Sequence, residues 1–164
     1  MAKEVTYVMI KPDGVKQKLF SKICKVFLEN DLDVIEIQNE IVLKKDIVRE
    51  HYSHLLNESF YPDLESFMLS GPVIPMIVYG EDAVSKVRAL IGPTNVKKAR
   101  EESPNSIRAL YGNPDFGPAN VIHASDSREN ALIEIKRFFN KELQRSKEVL
   151  TSSSIIPLSL NCAI

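Results

Sequence analysis

The chain has 164 residues, 44% apolar and 26% charged, enough for one domain that forms its core without metals or disulfides. Lys plus Arg number 21 against 22 Asp plus Glu, a balance that leaves no broad cationic field and argues against nucleic acid as a specific partner. The two cysteines, Cys24 and Cys162, lack CxxC or metal-ligand spacing and read as reduced thiols of a cytoplasmic protein.

The first residues, Met1-Ala2-Lys3-Glu4-Val5, lack the apolar run of a signal peptide. Glu4 to Ile10 is β-branched and apolar and predicts a strand with one or both faces buried. Lys11-Pro12-Asp13-Gly14 is a turn signal. Ile23, Val26 and Phe27 then recur at helical spacing, with Cys24 at the edge of the stripe, until Asn30-Asp31. Asp33 to Leu43 alternates as a second strand, and Lys45–Leu56 and Pro62–Leu69 predict two short helices. Val73 to Tyr79 predicts a third strand that tolerates Pro75 only near an edge or bulge.

Gly80-Glu81-Asp82 opens a helix through Ile91, closed by Gly92-Pro93. From Gly92 to Ala119 the chain reads as a long polar loop punctuated by prolines, a length that points to function. Asn120 to His123 predicts a brief fourth strand. Asp126 and Glu129 have capping-box spacing for a last helix that buries Ala131, Leu132, Ile135, Phe138 and Phe139. This order predicts an α+β fold, an antiparallel four-stranded sheet covered by helices in the ferredoxin-like arrangement. Beyond about Lys141 the apolar period fades. The domain is therefore expected over 1–141, with 142–164 an extension packed on the surface or disordered. No run reaches the length of a membrane span, and Cys162 is third from the end where prenylation needs the fourth position. The expectation is a soluble protein with no membrane partner.

Three histidines are candidates for chemistry. His51 and His54 share a predicted helix face, but no third ligand is adjacent in sequence, so no protein-held metal is expected. His123 closes a strand after the long loop, beside small Ala124 and the polar Ser125, Asp126 and Ser127. A histidine at a strand end is more often structural, yet a neutral imidazole here would be an accessible nucleophile. Lys11 ends the first strand, and Arg88 and Arg108 flank the long loop. Each alone reads as a solvated surface cation; together they suit phosphate. Neither G-x-x-x-x-G-K-[ST] nor G-x-G-x-x-G occurs, so any bound nucleotide would rely on side-chain cations.

Taken together, these segments resemble the nucleoside diphosphate kinase family. The resemblance rests on Ile10-Lys11-Pro12-Asp13-Gly14-Val15, His51-Tyr52, Phe60-Tyr61-Pro62 with Leu64, and Ser70-Gly71-Pro72-Val73. It continues through Val87-Arg88-Ala89-Leu90-Ile91-Gly92-Pro93-Thr94-Asn95, Ser106-Ile107-Arg108 and Asn120-Val121-Ile122-His123-Ala124-Ser125-Asp126-Ser127.

The resemblance implies that γ-phosphoryl transfer between nucleoside tri- and diphosphates runs by a ping-pong scheme through phosphorylated His123. It implies that Lys11, Tyr52, Arg88, Thr94, Arg108 and Asn120 contact phosphates or sugar, that Phe60 stacks on the base near Leu64, and that Ser125 and Glu134 support the histidine. It further implies Mg²⁺ carried by the nucleotide and a homo-oligomer, a hexamer ahead of a tetramer. Most members have Gly-Asp-Phe after the second arginine, where this chain has Ala109-Leu110-Tyr111-Gly112, and glycine after the histidine, where it has Ala124. The loop before His123 is also slightly longer. These departures resemble divergent branches, so the alternative is a nucleotide-binding or scaffolding module with vestigial catalysis.

Overall fold

The computed structural model describes residues 2–139. The expected domain end at 141, the extension 142–164 and Cys162 lie outside the described residues. In chain order the elements are β1 (Lys3–Ile10), α1 (Pro12–Lys16), α2 (Phe20–Leu28), β2 (Asp33–Ile37), α3 (Lys45–His51), a 3₁₀ turn (Ser53–Leu55) and α4 (Tyr61–Met68). Then follow β3 (Ile74–Glu81), α5 (Ala83–Ile91), α6 (Val96–Glu102), α7 (Ile107–Tyr111), β4 (Ile122–Ala124) and α8 (Arg128–Phe138).

The strands form one antiparallel sheet in the order β2-β3-β1-β4, the ferredoxin-like arrangement. β1 is central, and its side chains alternate between two apolar layers. Val8 and Ile10 pack with Ile23, Phe27 and Val87 from α2 and α5. Tyr7 and Met9 pack with Val48, Leu64, Ile135 and Phe138 from α3, α4 and α8. Truncating a fully buried ring such as Phe27 to alanine would cost about 3–5 kcal/mol.

Several expectations are corrected. The Lys-Pro-Asp-Gly turn opens a short helix, because Pro12 at its first position fixes φ and needs no donor. β2 stops at Ile37, and only Ile41 returns to the sheet, bridging Val73. The helix expected through Leu56 ends at His51 and gives way to the 3₁₀ turn. Pro75 lies on a central strand, yet its carbonyl faces Gln38 just past the end of β2, where no ladder donor is required of it.

The segment 92–119 is not a plain loop: Asn95 caps α6 and Ser106 caps α7 through their side-chain oxygens. The fourth strand is Ile122–Ala124, not 120–123. Ser127, not Asp126, caps α8 by accepting from the Asn130 amide, while Asp126 accepts from the Asn130 side chain. Leu132 is exposed on the outer face of α8 rather than buried.

Candidate active site

The backbone leading into β4 is held by the Lys11–Gly14 segment. Lys11 donates its amide to the Val121 carbonyl at 2.9 Å, and the Val121 amide donates to Asp13 Oδ2 at 3.1 Å. Val121 has φ of 64°, a left-handed conformation that strains a β-branched residue and persists only when its surroundings enforce it. Gly14 permits the approach, since a Cβ there would lie 2.6 Å from the Val121 carbonyl oxygen. These contacts deliver His123, which pairs with Met9 across the ladder.

Behind His123 stands α8. The His123 Nε2 lies 2.9 Å from Glu134 Oε2, and Ser125 Oγ donates to the same oxygen at 2.5 Å. A carboxylate only accepts, so Nε2 carries the proton and the lone pair is on Nδ1. Ser125 and Glu134 are thus brought together beside the His123 ring. Around the ring lie His51 at 4.6 Å between centroids, Tyr7 at 5.9 Å and Tyr52 at 6.4 Å.

Two cations rest on the backbone just ahead of His123, Lys11 through its amide on the Val121 carbonyl and Arg108 through its guanidinium on the Ile122 carbonyl. Lys11 is buried, with Nζ donating to the Pro118 carbonyl at 3.2 Å. Burial, then Arg108, lowers its pKa to about 7, with Asp13 opposing. Arg108 is also buried and donates to the Gly92 and Ile122 carbonyls at 2.9 and 2.8 Å, while its Nε has no partner among the described residues. Burial, then exposed Arg88, lowers it to about 10, with Tyr52 opposing. Among the described residues, none of Lys11, Arg88 and Arg108 forms an ion pair.

Asn120 is buried and donates to the carbonyl of exposed Thr94 at 3.0 Å, leaving its own Oδ1 unpaired. Tyr52 is buried with its hydroxyl 3.8 Å from Met68 Sδ, and burial raises its pKa. Phe60 is half-exposed at the start of α4, whereas Leu64 is buried in the core. Lys11 and Arg108 thus lean on the backbone that leads into β4, the strand that carries His123.

The family model for nucleoside diphosphate kinase matches residues 4–143. A nucleoside diphosphate kinase of Methanocaldococcus jannaschii is 41% identical over 143 residues, covering 85% of this chain and 96% of that protein. This chain belongs to the nucleoside diphosphate kinase family. The solved nucleoside diphosphate kinase of Aquifex aeolicus superposes with a TM-score of 0.78 at 36% identity, covering 84% of this chain and 96% of the other. That of Halobacterium salinarum, solved in complex with CDP, gives 0.77 at 33% identity, covering 86% and 90%. The chain is accordingly a phosphotransferase that moves the γ-phosphoryl group of a nucleoside triphosphate to a nucleoside diphosphate. Among the described residues no helix is long and apolar enough to cross a membrane.

Two features of this candidate site were not announced by the sequence. Asp13 acts on the backbone of Val121, a contact between residues 108 positions apart that no local pattern announces. His51 pairs by spacing with His54, which lies on the exposed 3₁₀ turn, and the resemblance gives it no role. The spacing of Ile47, Val48 and His51 on α3 was the available signal, because it places His51 on the inward stripe. His51, His123 and Glu134 offer ligand atoms within 4.8 Å of one another. A separate cleft of about 300 Å³, lined by Ile23, Val26, Leu90, Leu110 and Tyr111 among others, includes none of the candidate site residues.

Proposed function

We propose that this kinase carries the transferred phosphoryl group on His123 Nδ1. The observation that supports it is the asymmetry of the ring: Nε2 is engaged by Glu134 at 2.9 Å, while Nδ1 keeps its lone pair. In the forward half-reaction that lone pair attacks the γ-phosphorus. The bond to the β–γ bridging oxygen breaks, and the electron pair leaves with the nucleoside diphosphate. The Nε2 proton stays shared with Glu134, which offsets the positive charge developing on the ring. Lys11, Arg88 and Arg108 hold the polyphosphate and stabilise charge spreading over its oxygens. Asn120, Thr94 and Tyr52 meet phosphate or sugar, and Phe60 stacks on the base, which every nucleobase permits. A second nucleoside diphosphate then attacks the phosphohistidine in reverse.

Mg²⁺ fits as a companion of the nucleotide rather than of the protein. It prefers oxygen ligands and keeps several waters, whereas the cluster of possible ligands here is rich in nitrogen and Glu134 is already engaged. When bound it neutralises part of the polyphosphate charge. The same reading extends to a homo-oligomer, a hexamer ahead of a tetramer, in the cytoplasm. It also makes 1–141 the kinase domain, with the family match to 4–143 in support.

Phosphate transfer from ATP to GDP with Mg²⁺, measured for wild type and His123→Ala, tests the assignment. GTP formation confined to wild type is expected. Equal transfer by both chains would sink it, and nucleotide binding without phosphohistidine would favour the scaffolding alternative.

A further inference from the structure

His51 has no part in the transfer as described, yet it is buried against the reacting ring. It is 6% exposed and meets His123 in a T-shaped contact, 4.6 Å between centroids and 77° between planes. Tyr52 at 4.6 Å and Phe138 at 5.3 Å enclose it. Arg137 Nη1 lies 2.9 Å from His51 Nδ1. A guanidinium can only donate, so Nδ1 accepts and the proton of the neutral ring sits on Nε2. Arg137 is itself drawn towards Glu50, with Nε 3.3 Å from Oε1.

That proton placement decides against a metal site. His51, His123 and Glu134 would make a plausible zinc set by residue type. On His51, however, Nδ1 is taken by Arg137 and Nε2 bears the proton, so neither nitrogen offers a lone pair without breaking the guanidinium contact.

We propose that His51 is a positioning residue for the transfer reaction: fixed by Arg137 as a neutral Nε2–H imidazole, it packs against His123 and keeps that ring's Nε2 on Glu134 and its Nδ1 open to phosphate. This rests on His123 being the nucleophile. The neutral state matters because a cation beside His123 would oppose the positive charge the ring acquires on phosphorylation. The surroundings agree. His51 faces Tyr7 from β1, Lys11 beyond that strand, His54 from the 3₁₀ turn, His123 from β4, and Glu134 and Arg137 from α8. Burial, then His123, Arg137, Lys11 and His54, holds its pKa well below the ordinary histidine value.

The test uses the full chain with ring-¹⁵N-labelled histidine, as wild type, His51→Asn and Arg137→Met, with thermal unfolding recorded for each. Wild-type His123 should show one tautomer, protonated on Nε2, and should become phosphorylated by ATP. His51→Asn keeps an acceptor oxygen for Arg137 but loses the ring; kcat should fall ~10–100-fold through misorientation, while nucleotide KM stays within about twofold. Its His123 nitrogens should shift towards a tautomer mixture. Arg137→Met frees His51 Nδ1 to take a proton, so kcat should acquire an acidic limb and recover towards wild type at alkaline pH. A folded His51→Asn chain whose His123 nitrogens stay as in wild type would overturn the proposal, whether or not kcat falls. So would an unchanged pH profile in Arg137→Met. A wild type that carries no phosphoryl group on His123 would instead overturn the nucleophile assignment, and this role with it.

Discussion

The two sides of His123 are built on opposite principles. Behind the ring, Glu134 accepts from both His123 and Ser125, and Arg137 donates to His51 and faces Glu50, while His51 Nε2 and Arg137 Nε make no hydrogen bond among the described residues. In front, Lys11 and Arg108 are buried cations resting on carbonyls alone, with one Arg108 nitrogen and Asn120 Oδ1 unpaired. A polar network anchored on carboxylates fixes geometry, whereas buried charge without a counter-ion is costly until an anion arrives. On the proposed function, the difference separates groups that hold the His123 ring from groups that wait for substrate.

Removing a front cation should therefore cost catalysis but not stability. Lys11→Met is expected to lower kcat/KM by ~10²–10³, as for loss of one group stabilising transition-state charge. Its unfolding midpoint at pH 6 should hold or rise, because a buried charge without an ion pair has gone. A marked drop in that midpoint, with transfer retained, would break the comparison.

Removing a rear acceptor should cost both. Glu134→Gln is expected to lower kcat by ~10–100-fold through loss of ring orientation. Denaturant unfolding should show a loss of about 1–3 kcal/mol, because Gln offers a weaker acceptor to Ser125 and His123. Undiminished kcat in a folded variant would count against the rear network.

Titration sharpens the contrast further. With its folded pKa lowered from 10.5 to about 7, Lys11 binds fewer protons in the fold than in the unfolded chain between those values. Its contribution to stability therefore rises with pH across that window, and its penalty is fully present below about 7. Phosphate favours the charged amine, so nucleotide affinity should weaken above pH 7, approaching ~tenfold per unit, with proton uptake on binding. Calorimetry in buffers of different ionisation enthalpy reads that uptake. Lys11→Arg, charged throughout, should abolish the dependence. The smallest effect is expected for Ser127→Ala, which removes the cap of α8 and costs about 1 kcal/mol of stability while transfer persists.

Much of this was legible in the chain. Alternation in β1, the helical stripes of α2 and α5, and the turn residues between them prescribe the sheet and its cover. What escaped depends on long-range placement. The helices α6 and α7 were hidden because prolines and polar residues mask short capped turns. Leu132 reads as core by spacing but faces outward, since α8 buries only the stripe of Ala131, Ile135 and Phe138. His123, Lys11, Arg88 and Arg108 stand out by type and position, whereas Tyr52, Phe60, Leu64, Thr94, Asn120 and Glu134 were gathered by resemblance. No local rule states that Asp13 steadies Val121, or that His51 meets His123, because both contacts are made only when the sheet closes.

The most direct measurement is to phosphorylate the chain with ATP in the absence of acceptor and locate the phosphoryl group by ³¹P and ¹⁵N NMR. Phosphorus on Nδ1 of His123, discharged by added nucleoside diphosphate and absent from His123→Ala, is the predicted result. Phosphorus on Nε2, or on any other residue, would contradict the account.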